Sequence, residues 1–267
     1  MKHTLTDGKQ IYYEYDLQNN QYQTVVFLNG LSQSTLSWKS YAEKLHKNFN
    51  VLLVDSIFQG QSDKTGESRS FDQHAADLKS LLDALGLQKI HLIGISYGGA
   101  VAMRLMANHT DFVQKAVLMS TFAHKTSYFE QVGYGWQKAV QAGGYPLMFD
   151  VMLPMVLGKF YVENPLIPLE SMRNFRSGIN ENADALVKLM QATSESGDYR
   201  PNLRKIKIPT LIIHGKDDIL TTPEMGKEIA KALENSEFVL LKQKGHTLNV
   251  EAIEETIELI SNFLMKN

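Results

Sequence analysis

The chain has 267 residues, 43% of them hydrophobic and 21% charged, with a formal net charge of −2 and no cysteine. That composition describes a globular chain long enough for one well-buried α/β domain with an insertion, and it excludes disulfides, thiolate zinc sites and cysteine nucleophiles. With near-neutral charge and no Lys/Arg-rich block, nucleic acid and anionic membrane surfaces are not expected partners.

The opening stretch MKHTLTDGKQIYYEYD has no apolar core of signal-peptide length, so a cytoplasmic location is expected. Asp7-Gly8 is a turn cue for an opening hairpin, and Gln10 to Leu17 reads as its strand. Thr24 to Leu28 is a continuous apolar run, as a strand buried on both faces requires, and it ends in Asn29-Gly30-Leu31. A helix is predicted from about Thr35 to His46. A second buried strand, Val51 to Val54, leads into the turn-rich loop Asp55 to Ser62. Phe71 to Leu85 is the clearest amphipathic helix: Phe71, Leu78, Leu82 and Leu85 share a face, Ser70 and Gln73 form a capping box, and Gly86 stops it.

The next unit organises the chain. Ile90 to Ile93 is a short apolar strand, Gly94-Ile95-Ser96-Tyr97-Gly98-Gly99 an abrupt turn, and Ala100 to Met106 a helix. A G-x-S-x-G turn holds its serine in a strained conformation and lifts the hydroxyl clear of the sheet. Gly94 and Gly98 are expected because the backbone on the two sides of the apex nearly touches. The N–H that follows the serine opens a helix, where the dipole favours negative charge. Ala116 to Met119 is a further strand. Strands alternating with helices imply a doubly wound, mostly parallel α/β sheet.

From about Phe122 to Arg200 the alternation stops. Helices are predicted over Tyr128 to Ala142, Pro146 to Leu157, Glu170 to Phe175 and Glu181 to Ser194, with breaks at Gly143-Gly144 and at Pro165 and Pro168. The most apolar stretch, Leu147 to Leu157, is interrupted by Asp150 and Pro154, so no membrane insertion is expected. The segment carries 11 of the 25 aromatic residues and five of the 11 methionines, more than an isolated helical module would expose. It reads as an inserted all-helical lid over the serine. The expected organisation is therefore a core of residues 1–121 and 201–267 with a cap of residues 122–200. The β/α pattern then resumes with strand Pro209 to His214, helix Pro223 to Leu233, strand Phe238 to Leu241 and a final helix from about Glu251 to Leu264, whose acidic first turn suits the dipole.

A serine hydroxyl becomes a nucleophile only when a base takes its proton, and that base must be held in the right tautomer. Asp218 and His246 each lie just beyond a later strand, and the order Ser96, Asp218, His246 is the one this strand–turn–helix architecture calls for. Asp217 is the rival acid. Of the eight histidines only His246 has this order and loop context. His214 reads as structural and His124 as surface or packing. His3, His46, His74, His91 and His109 read as surface. No histidine pair has metal-ligand spacing, and Ser96 stands where G-x-G-x-x-G requires glycine, so neither metal nor nucleotide cofactor is expected.

On the motifs Asn29-Gly30-Leu31, Asp55 to Ser62 (similar to D-x-x-G-x-G-x-S), GISYGG, GKDD and Gly245-His246 followed by Glu251, the chain resembles the α/β-hydrolase fold with a helical cap over nearly its whole length. The resemblance selects Asp218 over Asp217 and implies an oxyanion hole made by the N–H groups of Leu31 and Tyr97. By motif position it places Leu31, Ser32, Phe122, Leu220 and Leu248 near the substrate. Two positions depart from the family pattern. Asn29 stands where most members have His, a feature similar to the 3-hydroxyacyl transferases that build rhamnolipid precursors, and Phe58 replaces the loop's first glycine. The implied function is a serine hydrolase cleaving an ester or thioester of a small, largely apolar acyl group through an acyl-enzyme on Ser96. The alternatives are a 3-hydroxyacyl-type acyltransferase on the same triad and a ligand-sensing protein of this fold. The expected partner is the small-molecule ester or thioester, with a homodimer left open.

Overall fold

A computed structural model describes residues 1–266. Eight strands form one sheet: β1 (Lys2–Thr4), β2 (Gln10–Asp16), β3 (Thr24–Leu28), β4 (Asn50–Asp55), β5 (Ile90–Ile95), β6 (Val113–Met119), β7 (Thr210–Gly215) and β8 (Ser236–Leu241). Their order is β1-β2-β4-β3-β5-β6-β7-β8. The opening hairpin is antiparallel, with Gly8 at φ +80° in its turn, and β2 pairs antiparallel with β4. Every pairing from β4 to β8 is parallel. The carboxyl ends of six strands therefore open at the same edge, and the loops that leave that edge carry the chemistry.

Strand alternation sorts the apolar runs into two cores. Val26, Leu28, Leu52 and Val54 point to one face, where they meet helices α2 (Phe71–Ala84) and α3 (Tyr97–Asn108). Val25, Phe27, Val51 and Leu53 point to the other, against α1 (Lys39–Leu45) and the last helices, α10 (Leu248–Glu251) and α11 (Ile253–Met265). The predicted capping box is present: Ser70 Oγ accepts from Gln73 N, and Gln73 Oε1 accepts from Ser70 N. The expected helix from Thr35 opens as a 3₁₀ turn, Thr35–Trp38, with Thr35 N–H held by the Asp55 carboxylate at 2.7 Å.

Between β6 and β7 lies the helical insertion: α4 (Ser127–Val156), α5 (Lys159–Glu163), α6 (Leu169–Ile179), α7 (Ala183–Glu195) and α8 (Arg200–Leu203). Helix α4 is two helices joined at a kink, with Gly144 at φ +67°, where Gly143-Gly144 predicted a break. Phe129, Trp136, Met148, Met152 and Met190 pack into the same cluster as Val26 and Leu28, so the cap completes the core beneath it. Helix α9 (Pro223–Ala232) closes the sheet after β7. The architecture is the mostly parallel, doubly wound sheet with an inserted helical cap that the sequence implies. Among the described residues no helix is long and apolar enough to cross a membrane.

The final helix differs from expectation. It breaks at Ala252 (φ −141°), because Glu251 does not face solvent in a first turn; its carboxylate turns inward and is buried. His74 and His91, read from sequence as surface, are also buried. His74 lies on the inner face of α2 against Tyr97, and His91 follows β5 inward against Phe49. A single histidine in an apolar stripe does not announce which way it points.

Candidate active site

Ser96 sits at the apex between β5 and α3 with φ +52° and ψ −112°, a conformation that side chains other than glycine rarely adopt. The turn is locked from both sides: Ser96 N donates to Met119 O at 2.9 Å, and Thr121 Oγ1 donates to Ser96 O at 2.7 Å. A Cβ on Gly94 would lie 2.5 Å from Gly98 O, the crossing expected of the motif. Gly98 is required for a second reason, since its Cβ would lie 2.4 Å from Leu28 O at the end of β3. Both contacts are with backbone, which has little room to yield.

Asp218 and His246 come together from the loops after β7 and β8. His246 Nδ1 is 2.9 Å from Asp218 Oδ2. The carboxylate is oriented by its own turn, with Oδ1 accepting from Leu220 N at 2.9 Å and Thr221 N at 3.0 Å. Thr221 Oγ1 lies 2.9 Å from Asp218 Oδ2 and 3.0 Å from His246 Nδ1, so it caps the pair. Sequence reasoning missed Thr221, although a threonine three residues after the acid is a local turn signal. Asp217 is exposed. Nδ1 faces the carboxylate, so Nε2 lies on the opposite side of the ring, away from Asp218.

The histidine loop is tied to the cap. Val156 O accepts from His246 N at 3.1 Å and Thr247 N at 3.0 Å. Glu251 accepts from Gly245 N and Gly158 N at 2.9 Å each and from Thr247 N at 3.2 Å. Burial raises the pKa of this carboxyl, while the three N–H donors favour its charged form. A Cβ on Gly245 would lie 2.3 Å from Gly158 N, so the two backbones touch.

Asn29, the departure from the family pattern, is a buried clamp. Its Nδ2 donates to Val54 O at 2.9 Å and Asp55 Oδ1 at 3.0 Å, and its Oδ1 accepts from Trp38 Nε1 at 3.0 Å. Gln59 Nε2 donates to Gly30 O at 2.9 Å, and Gln33 Oε1 accepts from Gly30 N at 3.1 Å. With Gly30 held on both sides, the N–H of Leu31 is left without a partner among the described residues, as is the N–H of Tyr97 at the start of α3. Phe58, the second departure, takes a left-handed φ of +76° and packs in the core away from the cavity.

A cavity of about 310 Å³ joins these parts. Ser96, His246, Leu31, Tyr97, Ser32, Phe122 and Leu220 all line it, with Asp218 behind the histidine. Ser96 and His246 line the same space without a direct hydrogen bond between them. Leu248 does not line the cavity, a correction to the sequence expectation. It is fully buried in the opposite core, because the short helix α10 turns it under the sheet. The cap supplies Phe129, Trp136, Met152 and Met190 to the wall. Their composition was visible in the sequence, but which of them face inward was not.

A family model described as alpha/beta hydrolase fold matches residues 23–152, and one described as TAP-like protein matches residues 165–266. The chain is 29% identical over 245 residues to the AB hydrolase superfamily protein YisY of Bacillus subtilis, covering 90% of each chain. It is 27% identical over 252 residues to the 2-hydroxy-6-oxononadienedioate/2-hydroxy-6-oxononatrienedioate hydrolase of Escherichia coli, covering 91% of this chain and 88% of that one. Among solved structures it resembles MGS-M2, an alpha/beta hydrolase enzyme from a Medee basin deep-sea metagenome library, with TM-score 0.92, 28% identity and coverage of 100% and 98%. The enol-lactonase of Burkholderia xenovorans shares the fold at TM-score 0.89 and 24% identity, with both chains fully covered.

Proposed function

The chain belongs to the alpha/beta-hydrolase fold superfamily, and from that premise we propose that it is a serine hydrolase acting on an ester or thioester of a small organic acid. The observation that carries the proposal is the 2.9 Å Asp218–His246 contact, with the imidazole lining the same cavity as Ser96.

The reaction follows from the parts. Asp218 keeps the His246 proton on Nδ1, so Nε2 is free to accept the Ser96 proton as Oγ attacks the acyl carbon. The tetrahedral oxyanion lies between the unpaired N–H groups of Leu31 and Tyr97, each worth about 3 kcal/mol in the transition state. His246 then returns the proton to the departing alcohol or thiol. Water, activated by the same Nε2, releases the acid from Ser96. The aromatic and methionine wall of the cap suits the apolar carbons of the acyl group. The Escherichia coli relative, a hydrolase of a dioate, supports a small carboxylated molecule as the kind of substrate such a cavity accepts.

The test is covalent. A fluorophosphonate probe should label Ser96, and Ser96→Ala should lose both the label and the turnover of p-nitrophenyl esters. Turnover that survives in Ser96→Ala removes the nucleophile. A folded wild-type protein that takes no label favours ligand sensing, and condensed product on adding a hydroxy-acyl acceptor favours acyl transfer.

A further inference from the structure

Lys125, Glu130 and Arg176 are the lysine, acidic and arginine side chains among the residues that line the cavity. Lys125 and Glu130 satisfy each other, with Nζ 3.4 Å from Oε1, and Lys125 also donates to Ser194 O. Arg176 is different. Its guanidinium makes no ion pair and no side-chain hydrogen bond to any described residue. Arginine is always charged and presents a planar fork of donors, so an unpaired, half-buried one on a cavity wall can hold an anion there.

Arg176 stands in the last turn of α6, where a cation can compensate the helix dipole. That task is already met by Asn180. Its N–H caps Arg176 O at 3.1 Å and Ser177 O at 3.2 Å, and its Nδ2 donates again to Arg176 O at 2.9 Å. The same Nδ2 donates to Ser32 O at 3.1 Å, in the loop that presents the Leu31 N–H. One amide thus fixes the backbone of Arg176 beside the oxyanion loop. Arg176 lines the same cavity as Ser96 and His246 with its guanidinium unpaired among the described residues.

We propose that Arg176 is a carboxylate-binding residue, and that the substrate is an ester or thioester whose acyl chain carries a free carboxylate at its far end. The proposal rests on the serine-hydrolase reading for the ester and on Arg176 alone for the carboxylate. Apolar carbons lie against Phe122, Phe129 and Met190, and the terminal carboxylate accepts the paired N–H donors of the guanidinium. The charge holds the acyl chain in one register, which fixes the acyl carbon over Ser96.

The experiment compares mono-p-nitrophenyl adipate with p-nitrophenyl hexanoate, which differ only by the terminal carboxylate. The wild-type ratio of kcat/KM should favour the hemi-acid, and high salt should erode that advantage. In Arg176→Gln the ratio should fall by about 10- to 100-fold, the range of a charge-assisted hydrogen bond, and in Arg176→Lys by less. An unchanged ratio in folded Arg176→Gln overturns the proposal. A second readout needs no turnover: calorimetric binding of adipate to Ser96→Ala, with and without Arg176→Gln, should weaken by the same factor. Adipate binding that depends on Arg176, in a protein that turns over no ester, keeps the carboxylate site and removes the hydrolase reading. Ester turnover together with adipate binding indifferent to Arg176 does the reverse.

Discussion

His74 is fully buried, neither ring nitrogen has a partner among the described residues, and desolvation lowers its pKa from 6.5 to about 3. Between those values the unfolded chain binds a proton that the folded one refuses, so acidification weakens the fold. The contribution from this residue reaches about 1.4 kcal/mol per pH unit. His91 and His214, each lowered to about 4 by burial, act with the same sign. His74→Leu is expected to be no less stable at pH 7 and to lose stability less steeply from pH 7 to pH 4, read from urea midpoints at each pH. A second residue-scale test separates the neighbouring acids. Asp218→Asn should leave the imidazole in the wrong tautomer and cut kcat about 10⁴-fold, whereas exposed Asp217 can be changed to Asn with kcat within about twofold of wild type.

Two short segments, 156–158 at the end of α4 and 245–247 around His246, are joined by backbone contacts and by the Glu251 carboxylate. Replacing Glu251 with Leu orphans three buried N–H groups, each worth about 1–3 kcal/mol, so a loss of at least about 3 kcal/mol in urea unfolding is expected. Glu251→Gln retains one acceptor and should lose less. Because the same carboxylate flanks His246 on both sides, kcat should fall with KM little changed. The turn between β5 and α3 is equally unforgiving. Gly98→Ala forces a methyl to 2.4 Å from Leu28 O, and its expected signature is a shifted thermal midpoint together with weaker fluorophosphonate labelling.

Across the whole molecule, one apolar cluster runs from Val26 and Leu28 in the sheet through Phe122 to Trp136, Met148 and Met152 in the cap. We propose the division into a core of residues 1–121 and 201–267 and a cap of residues 122–200 as one of topology, not of folding. The two tryptophans report on it, since Trp38 lies in the core on the far face of the sheet and Trp136 lies in the cap. Urea curves for Trp38→Phe, which follows the cap, and Trp136→Phe, which follows the core, should each be a single transition. After correction for each variant's own stability by circular dichroism, their fluorescence and backbone midpoints should coincide. A cap that melts first would show as a Trp136 midpoint below the backbone one.

The sequence alone determined whatever depends on short stretches of backbone. The G-x-S-x-G turn, the capping box at Ser70, the apolar runs of the sheet and the Gly143-Gly144 kink are all local statements, because glycine sterics and side-chain periodicity act within a few residues. Tertiary structure decided which way side chains face and what meets across distance. Leu248 went to the opposite core, His74 and His91 turned inward, and Glu251 left its helix to bond a cap glycine 93 residues away. Asn29 became a clamp and Arg176 came to rest beside the loop that follows β3 for the same reason. Burial and hydrogen-bond satisfaction are properties of packed surfaces, and no spacing along the chain encodes which surfaces will meet.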